Sequence, residues 1–133
     1  MEQLSKLSTR RKRSSVVRLT KNSKIFKAII TAIQEKKGSN IISLDLRKIP
    51  EAVADYFIIC EANSTTQVKA ISDNIDYYVK QLTDEAPYRH EGQQAAHWVI
   101  VDYINIVVHV MQPETRKFYK IEEMWSDALS EEH

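Results

Sequence analysis

Glycine is almost missing from this chain: Gly38 and Gly92 are the two in 133 residues. Loops that cradle phosphates need several glycines in short order so that backbone amides can approach the ligand. Neither a P-loop nor a dinucleotide fingerprint can therefore be assembled here. Cysteine is reduced to Cys60, which excludes an internal disulfide and a multi-cysteine zinc set. Cys60 ends an apolar run and reads as a small buried hydrophobe rather than a nucleophile. The histidines, His90, His97, His109 and His133, show no paired ligand spacing, so neither a metal nor a cofactor is expected. No stretch approaches the roughly 18 apolar residues of a membrane span. The start of the chain is basic but lacks the apolar segment of a secretory signal, which points to a cytoplasmic protein; an Arg- and Ser-rich mitochondrial address is the alternative.

What is present is an ordinary globular composition, 43% hydrophobic and 28% charged, in a length that supports one core but not two. The net charge of +1 conceals a division. Residues 1–24 carry +7, with Arg10, Arg11, Lys12 and Arg13 in an unbroken run, and the remainder carries −6. Residues 1–23 thus read as a flexible basic N-terminal extension and residues 24–133 as one folded domain. Two readings of the extension stay open: a solubilising tail, or an arm whose Arg10, Arg11, Lys12 and Arg13 pair with rRNA phosphates. The acidic body disfavours bare nucleic acid and suits a basic protein surface.

Periodicity organises the rest. Ile25, Phe26, Ile29, Ile30 and Ile33 recur at helical spacing up to Gly38. Asn40 to Leu46 and Asp55 to Cys60 read as strands, the second apolar on both faces as in a sheet interior. Ser64 and Gln67 have capping-box spacing, so a helix starts there, with Val68, Ile71, Ile75, Tyr78, Val79 and Leu82 as its apolar stripe. A short strand is expected around Tyr88 to Glu91. After Pro113 a closing helix is expected to turn Phe118, Ile121, Trp125 and Ala128 inward. This order indicates a mixed α/β (α+β) single domain with a central mixed β-sheet flanked by helices.

The stretch from His97 to Tyr119 is the most informative. Alternation puts Val99, Val101 and Tyr103 on one face of a first strand and Ile106, Val108 and Val110 on the same face of a second, as core. The other face would carry Trp98, Ile100 and Asp102 beside Val107, His109 and Met111, too apolar for a solvent face. It is either a second core layer under a helix or an apolar docking patch with a polar rim.

The ordered signatures Trp98 to Tyr103, Val107-Val108-His109-Val110, Arg116, Phe118-Tyr119 and Trp125 resemble the ribosomal silencing factor family. So do Ala54 to Ile59, Ser64 to Ala70 and Glu91-Gly92 upstream, and the resemblance spans about residues 24–128. Two features depart from the family pattern. Ile104-Asn105 stands where the family has Gly-Asp between its last two strands, and the extension before Lys24 has no counterpart. The resemblance implies a nucleotidyltransferase-like topology. It also implies a partner, the large ribosomal subunit through large-subunit ribosomal protein fourteen, with repression of translation by steric exclusion of the small subunit. The interface it implies comprises Trp98, Ile100, Asp102, Tyr103, His109, Met111, Arg116 and Tyr119. A role in assembling the large subunit, and a homodimer in the free state, stay open.

A nucleotide-transferring alternative fares poorly on the residues. Gly38-Ser39 is followed by Asp45, but Leu46-Arg47 comes next and no second carboxylate completes a metal site. Ser64, His109 and Asp102 supply the residue types of a hydrolytic triad without a nucleophile elbow. No catalytic residue is expected.

Overall fold

Serine hydroxyls begin both long helices. The Ser23 hydroxyl accepts the Phe26 amide (3.3 Å) to open α1, Lys24–Glu35, and the Ser64 hydroxyl accepts the Gln67 amide (3.1 Å) to open α2, Thr65–Thr83. Gln67 reaches back one residue beyond the expected cap amide, accepting from Asn63 N–H (3.0 Å). Its side-chain amide also donates to the carbonyls of Lys36 and Lys37, tying the start of α2 to the end of α1. The Asn74 side chain, buried between the helices, donates to the Ala32 carbonyl (2.9 Å). The computed structural model describes residues 23–133. The expectations for the basic extension and its Arg10–Arg13 run lie outside the described residues.

Between and after these helices run β1 (Ser39–Asp45), β2 (Tyr56–Glu61), β3 (Arg89–Glu91), β4 (Trp98–Asp102), β5 (Ile106–Met111), α3 (Pro113–Tyr119), α4 (Ile121–Met124) and β6 (Leu129–Glu132). Among the described residues the strands form one sheet in the order β3-β4-β5-β2-β1-β6. Only β2–β5 is parallel, in register Tyr56↔Ile106 to Glu61↔Met111; the other pairs are antiparallel. The fold is the expected mixed α/β domain, with one strand, β6, that the sequence did not announce. Its four residues are all exposed, so no apolar alternation marks it.

Every residue of β4 and β5 is buried. One sheet face meets α1 and α2, where Val99, Val101, Tyr103, Ile106, Val108 and Val110 join Ile29, Ile33, Ile71 and Ile75 in a single cluster. The opposite face is covered as well. Trp98, Ile100, Val107 and Met111 cluster with Phe57, Ile59, Leu44, Leu46 and Ile121, flanked by Trp125. Of the two readings of that face, the second core layer is the one realised.

The closing helix is broken. Lys120 takes a left-handed conformation (φ 49°) between α3 and α4, so the helical periodicity read across residues 113–128 fails at that point. Ile121 still turns inward, but Phe118 is 78% exposed. Leu82, expected in the α2 stripe, is likewise exposed near the end of its helix. Gly38 serves packing: a Cβ there would lie 2.5 Å from Ile33 Cγ2 and 3.2 Å from Ile71 Cδ1. The positive φ after α1 belongs to Lys37 instead.

The Ile104 turn resolves how a β-branched residue replaces glycine. Asn105 N–H donates to the Tyr103 carbonyl (2.9 Å) across Ile104, whose φ is 73°, the geometry of a strained γ-turn. The strain is held from two sides. The Asp102 carboxylate accepts the Ile104 amide (2.7 Å), and the Asn105 carbonyl accepts the amides of Asp55 and Tyr56. A left-handed residue with a side chain costs roughly 1–2 kcal/mol, against a glycine entropy penalty of roughly 0.5–1 kcal/mol. Ile104→Gly is therefore expected to raise stability by up to about 1 kcal/mol, or Tm by about 3 °C, in thermal unfolding, while Ile104→Ala gains nothing.

Candidate protein-docking site

The β4–β5 register sets the geometry of the second face. Trp98 pairs with Met111 and Ile100 with His109, so Trp98 and His109 are diagonal neighbours on one side of the sheet. The Trp98 indole N–H donates to His109 Nδ1 (3.0 Å). A ring nitrogen that accepts carries no proton, so the neutral imidazole has its proton on Nε2. Complete burial pushes the His109 pKa down to about 3, because the charged form would lie without water or a counter-charge. The other side of His109 packs on Phe57 (centroids 4.7 Å), which meets Trp125 edge-on (5.9 Å).

From Trp98 the rings continue outward. Tyr119 packs on Trp98 at 4.9 Å with the rings tilted by 46°, and Phe118 meets Tyr119 edge-on at 4.9 Å. Tyr119 is 37% exposed, whereas Trp98 keeps only 7%. The exposed aromatic surface here is thus the Phe118–Tyr119 pair on α3, with Trp98 beneath it.

The expected interface residues are redistributed accordingly. Ile100, Asp102, His109 and Met111 are wholly buried in the isolated fold and cannot form a free docking patch, because the β1–β2 connection, α4 and the segment around Trp125 cover that face. Asp102 serves the Ile104 turn rather than a partner's cations. Tyr103 points to the α1–α2 side, where its hydroxyl donates to Asp76 (3.3 Å); burial and that carboxylate push its pKa up. Arg116 is no rim charge. It is buried, donating to the Asn40 carbonyl (2.7 Å) and ion-paired with Glu61 (3.3 Å) and Glu122 (3.2 Å).

Phe118 is the surface residue that the sequence reasoning missed. The assumption of one unbroken helix turned it inward, and the Lys120 break that turns it outward leaves no glycine or proline as a signal. Asp45, considered above for a metal site, is clamped by Arg47 through Nε (2.9 Å) and Nη2 (2.7 Å). The Cys60 thiol, fully buried, has its pKa pushed up to about 12 by desolvation, which removes its thiolate at neutral pH.

The buried imidazole makes a pH prediction. With the folded pKa of His109 below the unfolded value, the unfolded chain binds more protons as pH falls through about 6.5, so stability is lost on acidification. This one group should lower unfolding free energy by about 2 kcal/mol between pH 7 and pH 5. Urea unfolding of the native chain and of His109→Asn at the two pH values checks it: the variant should lack that part of the pH dependence.

The comparisons with known proteins agree with this architecture. A crystal structure of a protein from Chromobacterium violaceum superposes with a TM-score of 0.72 at 34% identity, covering 77% of this chain and 83% of that one. The ribosomal silencing factor RsfS of Bacillus subtilis is 39% identical over 107 residues, which is 78% of this chain and 86% of the relative. The mouse protein named mitochondrial assembly of ribosomal large subunit protein 1 is 36% identical over 74 residues, 54% of this chain and 32% of the relative. The family model described as ribosomal silencing factor during starvation matches residues 20–133, and the chain belongs to that family.

Proposed function

We propose that this protein docks on the large ribosomal subunit, at large-subunit ribosomal protein fourteen, and that its bulk there keeps the small subunit from joining. Translation then falls without any bond being made or broken. The observation that carries this reading is the exposed Phe118–Tyr119 pair, its Tyr119 ring packed on a Trp98 that a buried hydrogen bond engages. Interface hot spots are typically rigid aromatic groups of this kind, and such an anchor costs little side-chain entropy on binding. The −6 charge of residues 25–133 favours a basic protein as the partner.

Trp98 contributes as the floor of the site. Of the buried members of the expected interface, Ile100, His109, Met111 and Arg116 act as its scaffold, while Asp102 holds the Ile104 turn and Tyr103 packs on the opposite sheet face. The basic run Arg10, Arg11, Lys12 and Arg13 would add pairing with rRNA phosphates beside the docked domain. A cytoplasmic site of action goes with this reading. A second reading, help in assembling the large subunit, is favoured by the name of the mouse relative; it would use the same surface on an immature particle.

Co-sedimentation with purified large subunits, followed by addition of small subunits, tests the proposal. The native chain should pellet with large subunits and hold joining down. Phe118→Ala combined with Tyr119→Ala should keep the circular dichroism spectrum and lose about 2 kcal/mol of affinity, roughly thirtyfold. Binding that survives this pair of changes would place the interface elsewhere. Removing residues 1–20 should weaken binding chiefly at low salt, since phosphate contacts are screened. In the assembly reading, loss of the protein leads instead to accumulation of large-subunit precursors, with joining of mature subunits unaltered.

A further inference from the structure

His109 lies too deep to touch any partner, yet it sits midway along an unbroken series of ring contacts. The series runs from exposed Phe118 through Tyr119, Trp98 and His109 to Phe57 and Trp125. We infer that His109 is a positioning residue for the docking surface: by accepting the Trp98 indole N–H it fixes the indole, and through the indole it fixes where Tyr119 presents its ring.

Three observations carry this inference. The hydrogen bond is directional and buried, so an indole that rotated away would leave its N–H without a partner in an apolar cluster. Trp98 retains a sliver of exposure at the start of β4, outside the stretch that β3 pairs. Tyr119 has no hydrogen bond among the described residues to hold its ring; its aromatic contacts are the Trp98 and Phe118 rings. The imidazole does this task in a way phenylalanine cannot. Its Nδ1 lone pair accepts the indole proton while its ring still packs on Phe57. Its Nε2 is buried without a hydrogen-bond partner, so the site gives up one hydrogen bond to retain the other.

The consequence for docking rests on the proposed function, but the geometry can be tested apart from it. In the native chain, nuclear magnetic resonance should detect scalar coupling between the Trp98 indole nitrogen and His109 Nδ1, with His109 protonated at Nε2. Absence of that coupling overturns the inference without any variant. His109→Phe keeps the ring and removes the acceptor; it should shift the Trp98 indole and Tyr119 ring resonances and lower affinity for purified large subunits about tenfold. His109→Asn places an oxygen where Nδ1 stood but loses the ring. It should be the less stable of the two and yet bind within about threefold of the native chain.

A purely structural role predicts the opposite order, with affinity following stability. In a Trp98→Phe background, where no indole N–H remains, His109→Phe should cost no further affinity. Equal binding by the native chain and His109→Phe, or an undisturbed Tyr119 ring, would overturn the inference. Failure of the native chain to bind large subunits would instead remove the docking reading, leaving the Tyr119 response to decide the positioning role.

Discussion

The parallel pair β2–β5 sets the terms for everything else. Both strands are apolar on both faces, so a sheet built around them must be covered twice. The two long helices cover one side. The other is covered by the β1–β2 connection, through Leu46, Ala52 and Ala54, and by the last third of the chain, through Ile121 of α4 and the Trp125 region. That cover realises the core-layer reading of a face whose covering the sequence left open, and α3, seven residues long, leaves Phe118 and Tyr119 exposed.

Holding so small a layer in place falls largely to Arg116. Its guanidinium joins α3 to the β1–β2 edge through the Asn40 carbonyl and Glu61, and to α4 through Glu122. Asn40 is in turn fixed by its own side-chain bond to Glu61 (2.9 Å) and adopts a left-handed conformation there. A buried cation with two carboxylates contributes little net stability by itself, but it fixes geometry, since displacing it would strand Glu61. A polar residue expected at an interface rim instead ties α3 to the sheet and to α4.

Much of this architecture can be read from the chain alone, for identifiable reasons. Ser64 with Gln67, the Ile25–Ile33 stripe and the alternation through Val99–Val110 are local patterns with strong periods, and each has its element in the structure. The covering of the second face was left open because alternation tells which side chains share a face and not what lies over it. Phe118 was misplaced because helical periodicity presumes continuity, and a left-handed lysine can end that continuity without warning. Arg116 was misassigned because its partners, Asn40 and Glu61, are more than fifty residues away in sequence. β6 was missed because a strand exposed at every position has no hydrophobic signature.

That last strand has a bearing beyond the fold. β6 lies along β1, pairing Ile42 to Asp45 with Glu132 to Leu129, and it occupies the outer position in the sheet. Glu131 and Glu132 discourage another chain from adding itself alongside, because carboxylates brought opposite carboxylates repel. The β1 edge beneath, with Ile41, Ile42 and Leu44, has no comparable protection. Four solvent-washed residues thereby shield a strand edge, and a protease that nicked the segment before Leu129 would leave β1 open to pairing with another chain.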